Sequence, residues 1–163
     1  MPTIRPYAAD DWPAVWRVLE PILRRGETYV LAPDITQQDA QRFWIGQPLR
    51  TYVACDDGGA VVASYFIRPN QPGLGSHVCN CAYVVDAAAS GRGIASAMCA
   101  HSQQEASRLG FTAMQFNFVV STNEAAVRLW KKHGFEVVGV LPKAFRHPSR
   151  GLVDALVMHK FLA

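Results

Sequence analysis

His77-Val78-Cys79-Asn80-Cys81-Ala82-Tyr83-Val84-Val85-Asp86 runs on through Ala87-Ala88-Ala89 into Ser90-Gly91-Arg92-Gly93-Ile94-Ala95-Ser96. The first ten residues are rich in strand formers. The Pro and Gly of Asn70-Gln71-Pro72-Gly73-Leu74-Gly75 bound them upstream, so the stretch predicts a strand over 77–86. Gly91-Arg92-Gly93 then opens a helix in which Ala95, Met98, Cys99, Ser102, Ala106 and Leu109 share one face, and Gly110 closes it in a left-handed conformation. Thr112 to Val120 alternates as a strand. Strand, glycine turn, helix and strand from 77 to 120 make a βαβ unit, which requires parallel strands joined by a right-handed crossover.

On the downstream side, Ser121-Thr122-Asn123-Glu124 is a capping-box start for a helix ending at His133-Gly134. Two last strands, Phe135 to Leu141 and Leu152 to Phe161, flank a loop rich in Pro, Arg and His. Upstream, Asp10 and Asp11 precede Trp12, Val15, Trp16, Leu19, Ile22 and Leu23, whose offsets of three and four make one helical face. Pro13 fits the first turn, whereas Pro21 is expected to kink or end the helix. A short helix follows Thr36. Arg50 to Cys55 and Ala60 to Arg68 then form a hairpin about Asp56-Asp57-Gly58-Gly59. The expectation is an α/β fold with a mixed, mostly antiparallel sheet around a central parallel βαβ unit, flanked by helices.

The chain has 163 residues, half of them hydrophobic and 18% charged. That suits one domain over 1–163, excludes intrinsic disorder, and allows a core burying roughly 70% of the unfolded surface. No apolar run approaches the roughly 18 residues of a membrane span, and Met1-Pro2-Thr3-Ile4-Arg5-Pro6 has no basic region leading into an apolar one. A soluble, cytoplasmic protein with no membrane partner is expected. Cysteines 55, 79, 81 and 99 form no CxxC pair and have no His-x-x-x-His partner, which points to reduced core residues and no metal site. Sixteen basic against thirteen acidic residues leave +3, dispersed along the chain, so no nucleic-acid partner is expected. A small polyanion could still bind locally.

The glycine turn is the candidate place. A helix whose first turn lacks side-chain bulk presents unpaired N–H groups at a positive dipole end. Ser90 to Ala95 provides such a turn, with Arg92 adding a charge, and the alternative is a plain tight turn. A dinucleotide fingerprint fails because Ser96 stands at the third glycine position and no acidic residue follows at the next strand's end. A Walker loop fails because no Gly-Lys-Ser or Gly-Lys-Thr follows.

These residues resemble the GCN5-related N-acetyltransferases (GNAT). Their pyrophosphate loop reads Arg or Gln, two residues, Gly, one residue, then Gly or Ala. Ser90-Gly91-Arg92-Gly93-Ile94-Ala95 matches at Gly93 and Ala95 and departs at Ser90. A second family pattern looks like Asn123-Glu124-Ala125-Ala126-Val127-Arg128-Leu129-Trp130-Lys131-Lys132-His133-Gly134-Phe135. The resemblance covers about Val78 to Leu141. It implies acetyl-coenzyme A bound between splayed strands 77–86 and 112–120, with backbone groups of Tyr83, Val84 and Val85 pairing with the pantetheine arm like an added strand. Amides of Gly91, Arg92, Gly93, Ile94, Ala95 and Ser96 would hold the pyrophosphate, with Ser90 in the same loop. Asn123 would reach the arm or merely cap its helix, and Lys131 and Lys132 are a solvated helix end.

The chemistry implied is direct acetyl transfer to an amine in a ternary complex, with an N–H near Val84 bonding the developing oxyanion. Trp130 stands where many members carry a tyrosine that protonates the thiolate. Its indole can donate a hydrogen bond to the cofactor but cannot supply a proton, or it simply packs in the core. A thiol of pKa about 8.5 leaves tolerably without an acid.

Val78-Cys79-Asn80, Phe116-Asn117-Phe118 and Thr122-Asn123 resemble the branch acetylating proline analogues and small amino-acid-like amines. By that resemblance Asn117 orients the nucleophile and Asn80 holds a substrate polar group, and the alternative is that both amides bridge the splayed strands. Neither central strand offers a dedicated base, so water would relay the proton. Tyr29 and Arg146 are either lining for a small-anion pocket or ordinary loop residues. Asp154 is expected to pair with Arg146 or His147. No metal is implied, and a homodimer is common in such families. Two rival readings stand beside small-amine transfer, a protein N-terminal acetyltransferase and a non-catalytic acyl-coenzyme A sensor, the latter encouraged by Ser90 and Trp130.

Overall fold

In the computed structural model, which describes residues 1–163, the βαβ unit forms as expected. Strand β4 (Val78–Val85) leads through a short turn at Ala87–Ala89 and the glycine turn into α3 (Ile94–Arg108), and β5 (Ala113–Val120) returns parallel to β4. Around it lie β1 (Thr3–Pro6), β2 (Arg50–Cys55), β3 (Val61–Pro69), β6 (Glu136–His147) and β7 (Gly151–Phe161). The seven strands are ordered β1-β2-β3-β4-β5-β7-β6, and every pairing except β4 with β5 is antiparallel. No helix is long and apolar enough to cross a membrane.

Helices cover both faces. One core layer, with Met98, Cys99, Phe116, Trp130 and Phe135, lies under α3 and α4 (Glu124–Lys132). The other, with Trp12, Leu19, Leu23, Trp44 and Phe66, lies under α1 (Trp12–Arg25) and α2 (Gln37–Gln41), which continues into a wider turn at Arg42–Gly46. Because both faces are covered, β3 is buried from Val61 to Ile67 without alternation. Its buried Ser64 hydroxyl is satisfied: Ser64 Oγ accepts from Trp44 Nε1 at 3.0 Å and donates to the Tyr52 carbonyl at 2.8 Å. Tyr52, Tyr65 and Tyr83 sit directly opposite one another across β2, β3 and β4. They stack at 4.9 and 5.6 Å, and Trp130 extends the ladder 4.9 Å beyond Tyr83. Each such pair contributes about 0.5–1.5 kcal/mol beyond burial.

Several expectations are corrected. Pro21 neither kinks nor ends α1, which runs on to Arg25 and stops at Gly26 with φ +64°. Pro21 is exposed, so the Arg17 carbonyl that loses its helical donor can turn to water. The Pro-, Arg- and His-rich loop is mostly strand, because β6 resumes past a bulge between Leu141 and Phe145. Lys143 takes φ +52° there and its N–H donates to Asp154 Oδ1 at 2.9 Å, so Asp154 secures the bulge rather than pairing with Arg146 or His147. Finally, β1 was not anticipated: four residues ending at Pro6 are too short to show alternation, and an edge tolerates the proline.

Candidate active site

The central parallel pair is very short. Val78 pairs with Ala113 and Cys79 with Met114, and beyond that β4 and β5 part. Which backbone groups face the opening follows from the register of β4 on β3. Asn70 N–H donates to the Val78 carbonyl and Asp86 N–H to the Val62 carbonyl, so both ends of the ladder are hydrogen-bonded positions. Alternation between them turns the groups of Asn80, Ala82 and Val84 to β3 and those of Cys81, Tyr83 and Val85 toward β5. Val84, expected to offer backbone groups to a ligand and an oxyanion donor nearby, therefore spends them on Ser64. Tyr83 and Val85 are left facing the gap.

The gap opens into a cleft of about 550 Å³ lined by 25 residues, 19 of them hydrophobic and none acidic. At one end lie Val85, Ala95, Asn123, Ala126, Leu129 and Trp130. The glycine turn stands beside this end. Gly91 and Gly93 have φ +76° and +77°, a conformation other residues enter only with strain. Gly93 is the N-cap of α3 and makes no side-chain cap; its carbonyl takes the helix's first bond, from Ala97 N–H at 3.0 Å. The N–H groups of Ile94, Ala95 and Ser96 thus have no partner within the helix. Arg92 is exposed beside them, and Ser90 is exposed, with its hydroxyl turned to the Asp86 carbonyl at 3.5 Å. Ser96 Oγ meets His133 Nε2 at 2.8 Å, tying the first turn of α3 to the end of α4.

Asn123 Oδ1 accepts from Ala126 N–H at 3.3 Å, so it does cap α4, and it also lines the cleft. Trp130 is 8% exposed, with Phe116 at 4.8 Å and Phe135 at 6.5 Å. It packs, and one edge of it reaches the cleft. Burial holds the Tyr83 phenol, bonded to Ser102 Oγ at 2.7 Å, well above its ordinary pKa, so it stays protonated. All four cysteines are free and buried, and burial pushes the Cys81 thiol up as well. No cluster of three or more His, Cys, Asp or Glu side chains could hold a metal ion.

The two strand asparagines differ. Asn80, 7% exposed, bridges the splayed strands through Nδ2 to the Gln115 carbonyl at 2.9 Å. Asn117 does not. It is exposed at the cleft edge, where Nδ2 donates to Asn70 Oδ1 at 2.6 Å and Oδ1 accepts from Gln115 Nε2 at 2.9 Å. Tyr29 comes from the loop after α1, and its hydroxyl donates to the Tyr83 carbonyl across the cleft. Burial raises its pKa far enough that it acts only as a donor. Arg146 lies outside the cleft: Phe145 and His147 point inward along β6, so the residue between them points to solvent.

Sequence reasoning missed Arg68 and Arg25, which line the cleft, and Phe43 beside them. It also missed an adjoining polar niche of Glu27, Thr28, Thr122, Asn123, His147, Ser149 and Arg150, which shares Thr28 and Asn123 with the cleft. Thr28 Oγ1 is buried without a hydrogen-bond partner. An arginine at a strand end carries no local signal of what it faces.

The comparisons agree with this geometry. Residues 9–135 match the Acetyltransferase (GNAT) family, and the chain belongs to that family. A GCN5-related N-acetyltransferase from Kribbella flavida superimposes with a TM-score of 0.94 at 42% identity, over 99% of this chain and 98% of its own. The N-acetyltransferase aca1 of Schizosaccharomyces pombe is 26% identical over 83% of this chain and 72% of that protein. A GNAT superfamily phosphinothricin acetyltransferase from Sinorhizobium meliloti, solved in complex with AcCoA, shares the fold with a TM-score of 0.88 at 20% identity, over 99% of this chain and 89% of its own. The protein is thus an N-acetyltransferase of the GNAT family.

Proposed function

We propose that the chain moves an acetyl group from acetyl-coenzyme A directly to the amine of a small molecule, with both bound in the cleft. One observation carries this reading: a single cleft joins an unpaired strand edge and helix N-terminus at one end to a side-chain-lined chamber, bridged by Tyr29, at the other. In this reading the amides of Gly91 to Ser96 hold the pyrophosphate, Val85 pairs with the pantetheine arm, and Asn123 Nδ2 reaches it. Tyr83 N–H, rather than one near Val84, bonds the developing oxyanion, and one such donor is worth about 3 kcal/mol. Asn117 stands where its remaining Oδ1 lone pair can accept from the amine. Asn80, already bonded on both sides, acts by fixing what lies next to it.

No carboxylate or imidazole lines the cleft, so proton removal falls to water and the adjoining niche with Glu27 and His147. The amine's own pKa then sets the pH dependence. Trp130 leaves the thiolate without an acid, which a thiol of pKa about 8.5 tolerates. The homodimer and cytoplasmic residence implied by the family likeness belong to this reading. Edge strand β6, with Val138 and Val140 exposed, offers a surface for the second copy.

Calorimetric binding of acetyl-coenzyme A, followed by thiol release with a panel of free amines and peptides, tests the reading. Release with small amines and not with peptides is expected. Binding without release for any amine would leave an acyl-coenzyme A sensor, and release with peptides alone would leave an N-terminal acetyltransferase.

A further inference from the structure

We propose that His133 is a positioning residue for the cofactor's pyrophosphate, taking up a proton as the anion binds and thereby turning the Ser96 hydroxyl into a further donor of the cradle. This deepens the acetyl-coenzyme A reading and rests on it. Gly91 and Gly93 bring no side chain to brace the turn, and Gly93 gives α3 no side-chain cap. From Gly91 to Ala97 one side-chain hydrogen bond reaches another element, between Ser96 Oγ and His133 Nε2 at 2.8 Å. The far side of that bond is anchored. His133 ends α4, and its carbonyl accepts at 2.8 Å from Lys160 Nζ, which also donates to Gln103 Oε1 of α3 at 2.5 Å.

The direction of the bond follows from what its partners lack. Ser96 Oγ bonds no other protein group, and neither does the His133 ring. In the free protein the hydroxyl hydrogen therefore goes to Nε2, which accepts it as part of a neutral imidazole. Burial lowers the His133 pKa, and Lys160 from β7 and Lys132 on its own helix lower it further; no carboxylate opposes them. From α3 it meets the uncharged Ser96, with Gln103 beside Lys160. Arg92 in the glycine turn, Lys131 on α4 and Glu136 opening β6 are exposed.

A bound pyrophosphate changes both partners. The Cβ bonds of a helix tilt toward its N-terminus, so the Ser96 hydroxyl, on the third residue of α3, leans to the end that carries the unpaired N–H groups of Ile94, Ala95 and Ser96. An anion there offers an acceptor for the hydroxyl hydrogen. Once that hydrogen turns away, Oγ faces Nε2 with lone pairs only, and the bond survives if Nε2 carries a proton of its own. The anion favours the imidazolium, since an opposite charge raises a histidine's pKa. That proton comes from solvent, and no covalent bond of the cofactor changes. Three amides thus gain a fourth donor, itself backed by a cation.

The test uses the full chain and 3′-dephospho-coenzyme A, because the 3′-phosphate of coenzyme A itself titrates at about pH 6, as phosphomonoesters do. Calorimetry near about pH 6.5, in buffers of different ionisation enthalpy, should show net proton uptake on binding. The dissociation constant should tighten roughly 3- to 10-fold between about pH 8 and 6, equivalent to a rise of up to about one pKa unit at His133. In NMR the His133 ring resonance should titrate at higher pH in the complex than in the free protein. His133→Gln should abolish the uptake and flatten the pH profile. Ser96→Ala should lose most of both, which a bare charge effect of the imidazolium would keep. Binding without proton uptake, or with an unmoved His133 titration, overturns the proposal and leaves the acetyl-coenzyme A reading standing. Absence of binding by dephospho-coenzyme A and coenzyme A overturns both. Undiminished uptake in a folded Ser96→Ala overturns the part played by the hydroxyl. Should a variant fail to fold, the uptake and the His133 resonance of the parent protein decide.

Discussion

The two ends of the cleft are built from different material. The end beside the glycine turn offers main chain: the groups of Tyr83 and Val85, and the first amides of α3, all within residues 83 to 96. The far end offers side chains, with Arg25, Tyr29, Arg68, Asn80 and Asn117 brought from α1, its following loop, β3, β4 and β5. A polyanion common to a whole family can be met by backbone, whose geometry any sequence with the right glycines reproduces. An acceptor peculiar to one member must be met by side chains, which can change without disturbing the sheet.

This contrast can be broken in several ways. Gly93→Val forces a β-branched residue into φ +77°, where strain of about 1–3 kcal/mol is expected, although a Cβ there meets no atom within 4 Å. Coenzyme A affinity should fall roughly 10- to 100-fold by calorimetry. Unchanged affinity would mean that the backbone of the turn is not the ligand. At the other end, Asn117→Ala should slow acetyl transfer at least about tenfold with coenzyme A affinity near normal. Equal rates in variant and parent would place Asn117 outside the chemistry.

Acid should weaken the contacts that hold α3, through two histidines. His101 accepts from the Tyr65 hydroxyl at 2.6 Å, since burial keeps that phenol protonated, and burial also lowers the His101 pKa. His133, beside Ser96, is lowered by burial and by Lys160 and Lys132. A histidine with a depressed folded pKa leaves the unfolded chain holding more protons once pH drops below about 6.5, so stability is complete above that value and declines toward the folded pKa. The melting temperature should fall by on the order of a few degrees between pH 6.5 and 5, and His101→Gln should flatten the fall. A profile identical in variant and parent would remove His101 as the source. The smallest effect is expected from Tyr29→Phe, which frees the Tyr83 carbonyl at about 1 kcal/mol in thermal unfolding. A loss of transfer greater than that of Asn117→Ala would make Tyr29 part of the chemistry.

The same contrast explains what could be read in advance. Strand, glycine turn and helix from 77 to 109 are legible because their punctuation is local, and Asn123 caps its helix where the sequence places a cap. Tyr83 could not be told from Val84 as the residue facing the gap, since that depends on the register with β3 rather than on any property of β4. Pro21 and β6 misled because an exposed carbonyl at Arg17 and a distant carboxylate at Asp154 satisfy backbone that local rules count as broken. Arg68 gave no signal, because its aromatic supports and Asn80 join it only on folding.

The parting of β4 and β5 gives this sheet two rims in its middle besides the two at its outer margins. Bare rims invite foreign strands, and proteins ordinarily blunt them at the periphery, where there is room for charge or curvature. Here the inner rims face one another within the cleft, with Tyr29 reaching across to the Tyr83 carbonyl and Trp130 among the lining residues. Shelter thus comes from position, and the template for strand addition meets only what enters the cleft.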